Sequence, residues 1–261
     1  MRVLFLGDVF GPAGLRAVEQ HVPALREELA LALVVANGEN VADGAGITGR
    51  LADRLLAAGI DCLTLGNHTW RRSGIGPYLV GAERVIRPAN FLAGLPGRGI
   101  CVVPATDGTR VAVLNLLGGL TLSPARSAFE IVDDLVAEAR AQTPFILVDL
   151  HGEATSEKVA MGWHLAGRVS ALVGTHTHVQ TNDARVLDGG TAYISDLGMT
   201  GPHDSVIGVK KEIILRRFLT QLPQRSEPAD GDVRLEGAVL ELDPAGRATG
   251  IELFRRPVTL R

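Results

Sequence analysis

The sequence predicts an α/β protein built around a parallel sheet, and three observations carry that expectation. Apolar residues come in blocks of strand length: Arg2–Gly7, Leu31–Ala36 and Ile60–Leu65. Stretches with helical spacing separate them. Conspicuous polar residues fall directly after the blocks rather than within them. Strand, helix, strand, helix, strand in sequence calls for parallel pairing with right-handed crossovers.

The elements follow in order. A first helix is expected from about Pro12 to Leu29, with Val18, Val22, Leu25 and Leu29 three or four residues apart. A second is expected from about Thr48 to Ala58, with Leu51, Leu55 and Leu56 on one face. Residues 71–99 hold glycine and proline with poor periodicity, and read as a small insertion or lid within one domain covering 1–261. Strands resume at Ile100–Val103 and Arg110–Leu116. Ser123-Pro124 has the form of a helix start, Ser as N-cap and Pro in the first turn, for a helix running to about Gln142. Phe145–Leu150 is another buried strand. A helix over Ser156–Gly167 and strands at Val169–Gly174 and Tyr193–Ser195 come next. Toward the end, Glu212–Phe218, Arg234–Leu242 and Thr249–Phe254 alternate, with a turn at Asp243-Pro244-Ala245-Gly246. These predict an antiparallel hairpin, with Gln224–Asp232 as a polar loop.

Bulk composition narrows the function. The chain has 261 residues, 46% hydrophobic and 21% charged, enough apolar matter for a sizeable core. Its formal charge of −3 comes without a basic block, so no nucleic-acid surface is indicated. Apolar runs fall well short of the roughly 20 residues that span a bilayer. The opening MRVLFLGD lacks the form of a signal peptide. Cys62 and Cys101 each lie in an apolar run and read as buried free thiols, so a cytoplasmic location is expected. The oligomeric state is left open, a homo-oligomer included.

The polar residues at strand ends carry the chemistry. Asp8 follows the first strand; Asn37, Glu39 and Asn40 follow the second; Asn67 and His68 follow the third. His151 follows a later strand, and His176 and His178 follow another. Ligands of open α/β sheets bind at that carboxyl edge. A mixed oxygen and nitrogen set without thiolate suits Mn, Fe or Zn. Seven candidates, Asp8, Glu39, Asn40, Asn67, His151, His176 and His178, exceed the needs of one tetrahedral ion but would serve two ions sharing a carboxylate. Glu39 is the candidate bridge. His176 and His178, one residue apart on an extended segment, would point the same way.

Blander readings stand beside these. Asp8 would cap the helix near Pro12, and Gly7-x3-Gly11-x2-Gly14 with Glu39 loosely echoes a dinucleotide-binding turn. That rival leaves Asn67, His68, His151, His176 and His178 unused. His21 reads as a helix-surface residue, His164 as one at the rim of its helix or packed, and His203 sits in a loop that would approach the site. Glu153 and Asp196 are candidates to orient imidazoles. Arg71 and Arg72 would meet phosphate or solvent. Trp70 would pack, or stack on a base.

Gly7-Asp8, Gly66-Asn67-His68, His151 and Gly174-Thr175-His176-Thr177-His178, in that order, resemble the calcineurin-like metallophosphoesterases. Gly38-Glu39-Asn40, Gly66-Asn67-His68-Thr69-Trp70, His151-Gly152-Glu153 and Thr175-His176-Thr177-His178-Val179-Gln180-Thr181 resemble their YmdB-like branch. Two departures from the broad family stand out. Phe10 occupies the place of a ligand histidine, and Glu39 replaces a bridging Asp. In the branch, Asn40 fills part of the gap. The resemblance implies a two-layer β-sandwich of mixed sheets flanked by helices. It also implies a metal-dependent phosphodiesterase acting on small phosphodiesters, 2′,3′-cyclic nucleotides foremost, through metal-activated hydroxide with His68 as proton donor. Two metal ions, Fe or Mn before Zn, are the implied cofactors. A phosphomonoesterase or nucleotidase, or a nucleotide-sensing regulator using the same site, is the alternative.

Overall fold

Side-chain parity along the strands decides the architecture. A computed structural model describes residues 1–261. Its first half runs β1 (Arg2–Leu6), β2 (Asp8–Val9), α1 (Gly11–Glu28), β3 (Leu33–Asn37), α2 (Gly49–Ala57), β4 (Cys62–Thr64), α3 (Ile75–Gly81), β5 (Val85–Ile86), β6 (Ile100–Pro104) and β7 (Arg110–Leu117). It continues with α4 (Ala128–Arg140), β8 (Ile146–His151), α5 (Thr155–Leu165), β9 (Ala171–Thr175), β10 (Arg185–Leu187), β11 (Thr191–Ile194), β12 (Met199–Pro202), α6 (Lys211–Thr220), β13 (Val233–Leu242) and β14 (Ala248–Pro257).

Two mixed sheets result. One runs β2-β12-β13-β1-β3-β4-β5, with β14 also paired to β13; the other runs β10-β11-β9-β8-β7-β6. Strands β1, β3, β4 and β5 pair in parallel, as do β7, β8, β9 and β11. The parallel expectation holds for these cores, and antiparallel β13, β14, β6 and β10 make the sheets mixed. Successive residues face opposite sides of a strand. Val3 and Phe5 of β1, Leu33 and Val35 of β3, Val111 and Val113 of β7, and Ala171 and Val173 of β9 meet between the sheets. Leu4, Leu6, Val34 and Ala36 pack outward under α1 and α2. Ala112, Leu114, Val148, Leu150 and Leu172 pack outward under α4 and α5. The layers are therefore helix, sheet, sheet, helix, the sandwich that the resemblance implies. Cys62 and Cys101 face each other across the two sheets as free thiols, Sγ to Sγ 3.2 Å.

Three local expectations are corrected. The helix expected from Ser123 begins at Ala128, capped by Ser127, whose Oγ accepts the Phe129 amide. Buried Asn90 holds the preceding loop out of the helix: its carbonyl takes the amides of Ala125 and Arg126, and its Nδ2 donates to the Arg126 carbonyl. Glu212–Phe218, expected to alternate as a strand, lies within α6. Leu215, Phe218, Leu219 and Leu222 share a helical spacing, yet no residue of α6 is buried. The third correction, on His176 and His178, belongs to the site. Residues 71–99 contain α3 and β5, the latter extending the first sheet. Arg87 pins the loop behind β5 by donating to the carbonyls of Pro88, Leu95, Pro96 and Gly97.

Candidate metal centre

Every sequence-predicted site residue comes to one end of the sandwich, where the parallel strands finish. Gly7 breaks the first strand, and a Cβ there would come within 2.0 Å of the Gly198 carbonyl oxygen. The two short strands β2 and β12 can pair only because of that glycine. Asp8 is thereby turned inward and fully buried. Its Oδ2 accepts the His176 amide at 3.0 Å, and its Oδ1 lies 3.7 Å from His178 Nε2. Asp8 does not cap α1: Phe10 stands at the N-cap without a side-chain bond. Gly14, the last glycine of the dinucleotide echo, serves close packing on β12, since a Cβ there would meet the Thr200 carbonyl at 2.3 Å.

Glu39 occupies the centre. Its amide donates to Asn37 Oδ1, and its Oε2 accepts the His68 amide at 2.9 Å. Oε1 lies 3.1 Å from both His151 Nε2 and His68 Nδ1. Neither ring aims an N–H along that line, so this buried oxygen accepts no hydrogen bond. Gly66 makes the room: a Cβ there would lie 2.4 Å from both Glu39 Oε2 and His151 Nε2.

The remaining donors fall on either side of Glu39. On one side, His151 Nε2 is 3.1 Å from Asn67 Oδ1 and 3.1 Å from His176 Nδ1. The ligating atoms of Glu39, His151 and His176 all lie within 4.8 Å of one another. On the other side stand Asp8, His178 and Asn40, with Asn40 Nδ2 3.3 Å from Asp8 Oδ1 and 3.0 Å from His178 Nε2. His176 and His178 therefore diverge, against expectation. Their segment is not extended: φ is 104° at His176 and 64° at His178, a region that non-glycine residues seldom enter. That backbone sends one ring to His151 and the other to Asp8.

Hydrogen bonds fix the far side of these rings. His178 Nδ1 donates to the Ile207 carbonyl at 2.9 Å, which leaves its Nε2 lone pair for the Asp8 side. His176 Nε2 meets Glu153 Oε2 at 3.2 Å, the orienting contact expected of Glu153. Asp196 acts on backbone instead. It takes the amides of Thr177 and Gly198 and a buried ion pair with Lys158, whose Nζ also donates to the Thr175 carbonyl. It therefore holds the turn that carries both histidines.

Oxygen and nitrogen donors of Glu39, Asn67, His151 and His176 crowd together, and Glu39 Oε1 among them accepts no hydrogen bond. A cation fits such a set of carboxylate, amide and imidazole donors. Without one, the charges compensate internally. Burial opposes charging His151, but Glu39, Asp8 and Asp149 together raise it to about 9. Burial pushes the Glu39 carboxyl up, yet His151 and His68 hold it well below its usual range. Burial, with the His151 charge behind it, drives His176 down to about 3.

Asn40 is placed differently from the other six. Its Oδ1, the atom able to bind metal, meets His68 Nδ1 at 2.8 Å. Its Nδ2 faces Asp8 and His178, so ligation requires the amide to turn over. His203 stays outside the site, bonded to the Gly201 carbonyl and facing Glu236. His164 pairs with Asp133 on the surface, and His21 is half-buried on α1. Arg72 donates to the carbonyls of Ala42 and Ala45 and braces the loop after β3, while Arg71 is exposed. Trp70 packs on Phe91, ring centroids 6.0 Å apart.

Sequence reasoning gave no role to Thr64, Asp149 or Thr175, which line the sandwich interior directly beneath the donors. The available signal was a lone Asp in the apolar run Phe145–Leu150.

Residues 4–254 match the family described as YmdB-like protein. The chain belongs to the YmdB-like family. It is 47% identical over 243 residues to the Bacillus subtilis (strain 168) protein named 2′,3′-cyclic-nucleotide 2′-phosphodiesterase, covering 93% of this chain and 92% of that one. Two solved structures share its fold. A hypothetical protein of Thermus thermophilus superposes with TM-score 0.92 at 40% identity, over 98% of this YmdB-like chain and 99% of the other. A structure described as a novel phosphatase of Mycoplasma pneumoniae gives TM-score 0.90 at 30% identity, over 98% and 93%.

Proposed function

We propose that this YmdB-like chain is a hydrolase of small phosphodiesters, 2′,3′-cyclic nucleotides foremost. Its centre would be two metal ions held by Asp8, Glu39, Asn40, Asn67, His151, His176 and His178. The observation that supports this most is the buried, hydrogen-bond-free Oε1 of Glu39 with imidazole and amide donors on both sides. Kinship with a named cyclic-nucleotide phosphodiesterase points to the substrate. Fe or Mn suits the donor set, with Zn also compatible. Bound there, two cations would place positive charge against the phosphate oxygens and lower the pKa of water.

The chain's own groups do the rest. Glu39 lies between the two donor clusters and would be shared by both. His68 is a quarter exposed, the only histidine of the cluster that opens this far to solvent. Its Nδ1 meets the Asn40 amide; with that amide turned over for ligation, Asn40 Nδ2 would donate to Nδ1 and the ring's proton would sit on Nε2, available to the departing ribose oxygen. The enzyme would work in the reducing cytoplasm, where Cys62 and Cys101 stay thiols.

The deciding experiment sets the Mn-loaded and Fe-loaded protein against 2′,3′-cyclic nucleotides and nucleoside monophosphates side by side. Preference for the cyclic diesters is expected. Faster turnover of monophosphates would make the chain a phosphomonoesterase. Metal and nucleotide binding without turnover of either would favour a regulatory role.

A further inference from the structure

Asp149 is fully buried on the inner face of β8, between the two sheets and two residues before His151. Three groups converge on it. The Thr175 hydroxyl donates to its Oδ1 at 2.7 Å; the Thr64 hydroxyl, at 2.5 Å, and Asn37 Nδ2, at 3.2 Å, donate to its Oδ2. Strand parity explains the meeting: Asn37, Thr64, Asp149, His151 and Thr175 all occupy inward positions at the carboxyl ends of β3, β4, β8 and β9.

Thr175 is the informative member. Its Oγ1 also lies 2.9 Å from His151 Nδ1. A hydroxyl has one proton, and here it goes to the carboxylate. Thr175 must therefore accept from His151, which places a proton on Nδ1. The ring's other nitrogen, Nε2, is then the one that faces the space shared with Glu39, Asn67 and His176, and its proton is the one a metal ion would displace. Asn37 and Thr64, both from the opposite sheet, bond only the carboxylate's other oxygen, Oδ2, which lies off the path to His151.

We propose that Asp149 is a positioning residue that acts through the Thr175 hydroxyl to fix the tautomer and direction of His151, presetting Nε2 for metal. This rests on reading the site as a metal centre, and it extends that reading to two residues that touch neither metal nor substrate. A buried polar cluster joining two sheets would also stabilise the fold, so the test separates the two roles. Thr175→Val keeps the shape of the side chain and deletes the relay. Thr175→Ser keeps the relay and trims a methyl group. Thr64→Val removes one bond to Asp149 but leaves the path to His151 intact.

The readouts are Mn²⁺ affinity of the full chain by calorimetry and the thermal midpoint of the metal-free protein. Loss of such an orienting partner typically weakens metal binding about 10- to 100-fold, and that loss is expected for Thr175→Val. Thr175→Ser should restore near wild-type affinity. Thr64→Val should lower the midpoint as Thr175→Val does, with its Mn²⁺ affinity close to wild type. The proposal is overturned if Thr175→Val binds Mn²⁺ as wild type does. It is overturned equally if Thr64→Val weakens binding as much, or if serine fails to rescue. A wild-type chain that binds no Mn²⁺ would overturn both this and the metal reading. A wild type that binds Mn²⁺ but leaves cyclic nucleotides intact would sink only the substrate reading, and the affinities of the three variants would still decide this one.

Discussion

Glu39 Oε1 and His151 Nε2 lie 3.1 Å apart, and both side chains are completely buried. One comes from the turn after β3 in the first sheet and the other from the end of β8 in the second. The contact joins the two layers at the point where their polar residues converge. Breaking one partner of a buried charged pair leaves the other uncompensated, at a cost of about 3–5 kcal/mol. Glu39→Gln should therefore lower the unfolding free energy of the metal-free protein by a few kcal/mol, seen in denaturant melts with chelator present. It should also abolish retention of two metal ions, seen by elemental analysis. A variant that keeps both ions would remove Glu39 from its bridging place.

His68→Ala separates proton donation from metal binding. With His68 as donor, the variant keeps its metal content and loses about 10²–10⁴-fold in kcat. Metal content and turnover measured on the same preparation check this. Parallel loss of both would make His68 a ligand.

Gly66 is where a single methyl group should do most damage. A Cβ there would lie 2.4 Å from Glu39 Oε2 and from His151 Nε2, both on fully buried side chains. Gly66→Ala is expected to displace one of the two donors and to lose metal and activity together. Gly81→Ala is the matched control. Nothing lies within 4 Å of a Cβ at that helical position, so metal content and activity should match wild type.

Glu236 predicts an acid-sensitive contribution to stability. Burial alone would raise its carboxyl, but His203, Arg255 and the Met199 amide outweigh it and hold the group below its ordinary value of 4.5. A depressed folded pKa stabilises the protein at pH above the unfolded value. That contribution is lost as pH falls through the folded value. Urea midpoints from pH 6 to pH 3 should fall more steeply below about pH 4.5 in wild type than in Glu236→Gln. Parallel curves would mean that the carboxylate is not linked to unfolding in this range.

Much of this was legible in the residues. The blocks Arg2–Gly7, Leu31–Ala36 and Phe145–Leu150 announce buried parallel strands because both faces of each are covered, one by the other sheet and one by helices. The polar residues after them mark one sheet edge. The pairing of β13 with β1 was not legible, because it joins residues more than 200 positions apart and no local pattern encodes that. The helix α6 was misread because its apolar residues face no core, so nothing forces the clean helical spacing that burial imposes. The divergence of His176 and His178 depends on two positive φ angles, which histidine itself does not advertise. Asp149 and Thr175 escaped because a lone polar residue in a strand has no meaning until its neighbours on other strands are known.

The donors are drawn from turns on both sheets, and Asp8 meets the His176 amide across 168 positions of chain. No short fragment holds the constellation, so it has no local precursor during folding. Long-range closures of this kind are made late, after the sheets have paired. The ability to capture metal should thus appear only in the last step of refolding. Metal uptake then becomes a gauge of completion, blind to every partly folded form.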